Sequence, residues 1–181
     1  MRLLLASAVV LISPLACAAQ ASPAFRSDLF AGASFNGSNP SSNTTVGVNG
    51  GADFRIVGPL GIEGQVGWFS AGNGAANTTT IVDYLFGPRV QTRVSSRVAP
   101  LADFLIGGQT LNNSSSQHTY YYTSGSGFAA AGDVGADIRL THRIALRGQV
   151  GFIFSNFAVS GGGGPVGNYR WRAGTNLIYR F

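Results

Sequence analysis

The sequence predicts an all-β fold: one eight-stranded antiparallel up-and-down transmembrane β-barrel, preceded by a cleaved signal peptide. Three observations carry this expectation. The chain opens with the layout of an export signal, its remainder alternates between strand-like segments and turn signals, and within each segment the charged residues share one face.

Composition excludes several other classes. Of 181 residues 26 are glycine, 11% are aromatic and only 10% are charged. A disordered chain would carry more charge and fewer aromatic groups. A helical membrane protein would need apolar runs of about 20 residues, and none follows the N-terminus. All 12 cations are arginine, spread singly, so the net charge of +5 lacks the clustering that nucleic-acid binding would need.

Residues 1–19 read as the signal peptide, with Arg2 as its positive end, residues 3–15 as its apolar stretch and small residues after them. Cleavage is expected after Ala19 rather than Ala21, both small-x-small sites. That leaves residues 20–27 as an N-terminal linker and 28–181 as the barrel. Cys17, the one cysteine, departs with the signal, so the mature chain offers no thiol for a disulfide, a metal or catalysis. Lipidation at Cys17 is the competing reading, and Pro14 and Leu15 fit it poorly.

The strands follow in order, each justified by period-two sorting of polar from apolar side chains. Residues 28–36 place Asp28 on the polar face, 45–57 place Asp53 and Arg55 there, and 61–70 place Glu63 there. Residues 80–94 contribute Asp83, Arg89 and Arg93, and 98–107 contribute Asp103. In 127–140, Phe128, Val134, Ile138 and Leu140 oppose Asp133, Asp137 and Arg139. In 144–157, Ile144, Leu146, Val150, Phe152 and Phe154 oppose Arg147, Gln149 and Ser155. In 169–181, Tyr169, Trp171, Ala173, Thr175, Leu177, Tyr179 and Phe181 oppose Arg170, Arg172, Asn176 and Arg180. No charge remains on the apolar face.

The connections alternate in kind. Gly58-Pro59-Leu60, Ser95-Ser96-Arg97 and Thr141-His142-Arg143 read as tight turns, and 37–44, 71–79, 108–126 and 158–168 as longer polar loops. Interleaving of this sort belongs to a barrel with one periplasmic and one external rim, with both termini on the turn side. The apolar face is then lipid-facing, because an arginine turned to mid-bilayer costs about 2–4 kcal/mol. A soluble sandwich would instead carry its charge outward.

Several stretches resemble the outer-membrane β-barrel family related to the OmpA transmembrane domain and the opacity-type surface proteins, and most of all its small members. They are Leu85-Phe86-Gly87-Pro88-Arg89-Val90, the run from Pro100 through Asp103 to Gly108, the run from Phe128 through Asp133 and Asp137 to Leu140, Arg143-Ile144-Ala145-Leu146-Arg147, and the closing Asn168-Tyr169-Arg170-Trp171-Arg172-Ala173-Gly174 with Tyr179-Arg180-Phe181. The resemblance implies residence in the outer membrane among its lipids and lipopolysaccharide. It also implies that the last strand, ending at Phe181, is read by the barrel-assembly machinery. The anchoring role of two-domain relatives, which rests on a peptidoglycan-binding domain after the barrel, is not expected to carry over, and 108–126 carries no recognisable adhesive motif.

The chemistry-bearing residues point away from turnover. Eight arginines and seven acids on the polar face must pair or meet water; a salt-bridged plug is expected, with a narrow ion or solute path as the alternative. His118, beside Ser114, Ser115, Ser116 and Tyr120, is the best placed base, yet it sits in a polar loop with no acid near to orient it. His142 reads as a turn residue without metal partners. Trp68, Tyr84, Tyr169, Trp171, Tyr179 and Phe181 read as interfacial aromatics. Tyr120, Tyr121 and Tyr122 read as an extension of the wall, and 161–164 as a loop lacking the lysine and helix of a phosphate site. No catalytic, cofactor or metal residues are therefore expected, no nucleic acid, and a monomer. The function expected is structural, in the envelope, with four displayed loops; the alternatives are a loop-borne adhesin or interaction protein and a narrow channel.

Overall fold

Eight strands close on themselves. The computed structural model describes residues 27–38, 44–72, 77–115, 123–159 and 166–181. They form β1 (Ser27–Ser38), β2 (Thr44–Val57), β3 (Leu60–Gly72), β4 (Asn77–Gln91), β5 (Val98–Ser115), β6 (Thr123–Arg139), β7 (Ile144–Val159) and β8 (Val166–Arg180). Each pairs antiparallel with the next, and β8 returns to β1 through pairs such as Asp28 with Arg180 and Leu29 with Tyr179. Closure leaves no edge strand whose backbone groups would be unpaired in lipid.

Period-two alternation then decides what faces where. The exposed apolar side chains include Leu29, Val48, Val66, Phe86, Phe104, Val134, Val150 and Leu177, one from every strand, so the belt is continuous. Two outward aromatic rings lie flat over glycines of a neighbouring strand. A Cβ at Gly37 would stand 2.4 Å from the Trp171 indole, and one at Gly108 2.4 Å from the Tyr84 hydroxyl, so only glycine admits these rings.

The strands outrun the expected ones on the loop side. The segment 108–126 is mostly wall rather than loop: β5 continues to Ser115 and β6 starts at Thr123. Above the hydrocarbon both faces of a strand meet water, so the apolar alternation that marks a strand in sequence disappears while backbone pairing continues. Asn112 with Ser124, and Thr110 with Ser126, are such pairs.

On the turn side one strand stops early. β4 ends at Gln91, not Val94, and Arg93 is exposed rather than in the lumen. Thr92 donates its N–H to Pro100 O at 3.1 Å, but proline has no N–H to return, and the regular ladder ends there. The β2–β3 connection needs Gly58 at φ 54°, a left-handed conformation, and shifts register between Arg55 and Val57.

The other two turns share one design. In Val94-Ser95-Ser96-Arg97-Val98, Ser95 Oγ accepts the N–H of Arg97 and of Val98, at 3.3 and 3.0 Å. In Leu140-Thr141-His142-Arg143-Ile144, Thr141 Oγ1 accepts from Arg143 and Ile144 at the same two distances. The carbonyl of each turn arginine accepts the N–H of an arginine on the second strand after the turn, Arg139 of β6 and Arg180 of β8 respectively.

Candidate functional site

Every acid in the chain is buried inside the barrel: Asp28, Asp53, Glu63, Asp83, Asp103, Asp133 and Asp137. Arg89, Arg147, Arg170, Arg172 and Arg180 are buried with them, and Arg55 and Arg139 are half-buried on the same face. Seven carboxylates thus share the lumen face with seven guanidiniums, equal in number; Asp28, Asp53, Glu63, Asp133 and Asp137 form ion pairs, whereas among the described residues the buried carboxylates of Asp83 and Asp103 accept no side-chain hydrogen bond. An interior of this polarity holds together only if its charges are paired, since an isolated buried ion is strongly unfavourable.

A turn-side tier centres on Arg147, which is fully buried. Its Nε donates to Asp137 Oδ1 at 2.8 Å, Nη2 to Asp53 Oδ2 at 2.8 Å and Nη1 to Glu63 Oε2 at 3.3 Å. These partners stand on β6, β2 and β3, so one side chain of β7 reaches across the lumen. Arg89 joins from β4, donating to Glu63 Oε2 at 2.8 Å and to Asp53. Asp137 also accepts from Gln91 at 2.6 Å and from Arg180 at 2.9 Å, while Arg180 lies 3.4 Å from Asp28. The Phe30 ring floors the tier, 4.9 Å from the Arg147 guanidinium carbon.

A loop-side tier uses β8. Arg172 grips Asp133 with two nitrogens and reaches Gln65 Oε1 at 3.4 Å. Arg170 donates to Gln109 and, at 3.5 Å, to Ser155 Oγ. Alongside runs an apolar cluster of Leu85, Leu105, Ala129, Ala131 and Ile153, with Phe30, Ala145 and Ile178 forming a second. The sequence reading missed these interior apolar residues. Leu85 shares its face with Asp83 and Arg89, and polarity sorting has no way to distinguish an apolar lumen residue from a membrane-facing one.

A cleft of about 20 Å³ at the turn-side mouth, lined by Asp28, Asp53, Arg55, Arg89 and Gln91 among others, has room for about one water.

The remaining candidates fall as follows. Trp68, Tyr84, Tyr169, Trp171, Tyr179 and Phe181 all face outward, with Tyr179 and Phe181 edge to face at 5.1 Å. His142 is exposed in its turn, and among the described residues no group of three or more His, Cys, Asp or Glu could hold a metal. The backbone of Ser114 and Ser115 belongs to β5. His118, Ser116, Tyr120, Tyr121, Tyr122 and residues 161–164 lie outside the described residues, as does the signal segment.

Residues 3–177 match the family model described as outer membrane protein beta-barrel domain. No curated protein matches the chain. Among solved structures, Neisserial surface protein A superposes with a TM-score of 0.63 at 10% identity, over 86% of this chain and 95% of its own. A major outer membrane protein from Thermus thermophilus reaches a TM-score of 0.65 at 13% identity, over 88% and 100%. The attachment invasion locus protein of Yersinia pestis reaches 0.55 at 16% identity, over 86% and 98%. At such identities the likeness establishes the fold alone.

Proposed function

The chain belongs to the outer membrane protein β-barrel family and resides in the outer membrane, and from that premise we propose that it is a structural envelope protein whose lumen is closed by its own charges. The observation that carries this reading is Arg147, fully enclosed and held by carboxylates of three other strands. An eight-stranded barrel has an interior just wide enough for side chains to fill, and a guanidinium tied across it occupies the path a solute would take. The uninterrupted lipid-facing belt supports a monomer surrounded by lipid and lipopolysaccharide. The enclosed carboxylates and the single described histidine, exposed in a turn, support a non-enzymatic role.

Planar-bilayer recording of the purified protein tests this. Quiet bilayers are expected, and steady discrete openings would replace the closed reading with that of a narrow channel.

One observation favours a second reading, an interaction protein acting through its outward tips. β5 and β6, at 18 and 17 residues, are the longest strands. At about 3.3 Å per residue and a tilt near 40°, β5 stands about 45 Å tall against an apolar band of about 25 Å. The upper wall of β5 and β6 presents Asn112, Ser124 and Ser126 outward, neutral groups suited to hydrogen bonding. Deletion of the protein separates the two readings. The structural role predicts detergent sensitivity with adhesion unchanged, whereas intact detergent resistance with lost adhesion would favour the interaction role.

A further inference from the structure

Among the described residues the exposed charged side chains are of one sign and at one end. All side-chain acids are enclosed in the lumen. The segments 38–44, 72–77, 115–123 and 159–166 contain no Asp, Glu, Lys or Arg, so the loop-side connections bring no fixed side-chain charge. Arg93, Arg97 and Arg143 are exposed, all on the turn side.

We propose that this turn-side rim is a docking collar for anionic phospholipid headgroups of the inner leaflet, of the phosphatidylglycerol kind. The inference rests on the outer-membrane reading, in which the short turns face the periplasm.

Two features beyond the charge support it. The same hydroxyl-x-Arg turn is built twice, fixing the backbone of Arg97 and of Arg143 through hydrogen bonds to Ser95 and Thr141. Beside the second turn a shallow hollow of about 390 Å³ is lined by Thr141, His142, Arg143, Ile144 and Tyr179. Ile144 pairs with Tyr179, whose outward ring marks the level at which hydrocarbon gives way to headgroups. One side of the hollow is therefore cationic and hydrogen-bonding, and the other is continuous with the acyl-chain belt. That combination fits an amphiphile, with its phosphate at Arg143 and its glycerol and upper chain against Tyr179 and Ile144. A cell-wall polymer in the aqueous periplasm would have no apolar part to place there.

The test uses the full mature chain folded in phosphatidylcholine vesicles, with trace spin-labelled phosphatidylglycerol or phosphatidylcholine and electron spin resonance to read the motionally restricted fraction. Phosphatidylglycerol is expected to associate more strongly by about fivefold, the value of one arginine at an anionic surface. The preference should vanish in the double variant Arg97→Gln, Arg143→Gln and persist in Arg97→Lys, Arg143→Lys. It should also vanish for the unaltered protein in 1 M salt, where screening acts within about 3 Å, which tests the collar even if the glutamine variant does not fold. Equal association of the two lipids, or a preference that survives glutamine substitution and salt, would overturn the inference. Arginine-dependent sedimentation with peptidoglycan sacculi in the absence of any lipid preference would also overturn it, assigning the rim to the cell wall. A barrel that inserts, stays electrically quiet and ignores lipid charge would contradict this inference while leaving the closed-barrel reading standing.

Discussion

Arg147 illustrates how much a single residue decides here. Its place on the polar face of a strand follows from parity alone, since Arg147 and Gln149 alternate with Leu146 and Val150. Its partners do not follow from sequence. Asp53 and Glu63 lie 94 and 84 positions away, and only the closure of the sheet brings them together. Replacing Arg147 by alanine leaves Asp53, Glu63 and Asp137 facing one another with a cation removed. We expect a loss of about 3–5 kcal/mol, the usual cost of breaking a buried pair from one side, read as a lower urea midpoint for unfolding from vesicles. A change below about 1 kcal/mol would mean that the tier is not the tie its geometry describes. Leu85, Leu105 and Ile153 mark the limit of the same logic: they are lumen residues whose chemistry is that of the lipid face.

At the scale of the element, strands were legible where one face meets lipid and the other a polar interior. β7 and β8 begin and end within three residues of their expected limits. The signal failed where both faces meet water, and there β5 runs eight residues beyond the expected Gly107. The turns were legible as Ser, Thr and Gly-Pro punctuation, but the repetition of one turn twice became clear only from the hydrogen bonds of Ser95 and Thr141. β8 carries a further prediction. Phe181 is 70% exposed, its N–H donating to Ser27 O at 3.2 Å, so its ring adds little to packing and stays accessible, as the expected role in barrel assembly would require. Phe181→Asp should lower the outer-membrane level in cells while refolding of the purified chain into vesicles stays close to normal. Equal impairment of both would reduce Phe181 to a membrane anchor.

The whole molecule is an inversion of a soluble protein. Its ionisable strand residues lie inside, most of its large apolar residues form the surface, and among the described residues its exposed charged side chains gather at one rim. The arrangement depends on a register that cannot slip, because moving one strand by one residue would send its acids into lipid and its valines into the lumen. Neighbouring residues of β7 expose this most directly. Val150 is 55% exposed toward lipid, and Gln149 is buried opposite Gly135, with Asp133 and Asp137 as its same-face neighbours on β6. An arginine at 149 therefore finds two carboxylates, whereas an arginine at 150 finds acyl chains and costs about 2–4 kcal/mol. The decisive measurement is heat-modifiable migration of Val150→Arg and Gln149→Arg on an unboiled gel after outer-membrane fractionation. The closed barrel predicts a folded band for Gln149→Arg and its loss for Val150→Arg; equal loss in both, or the reverse order, would contradict it.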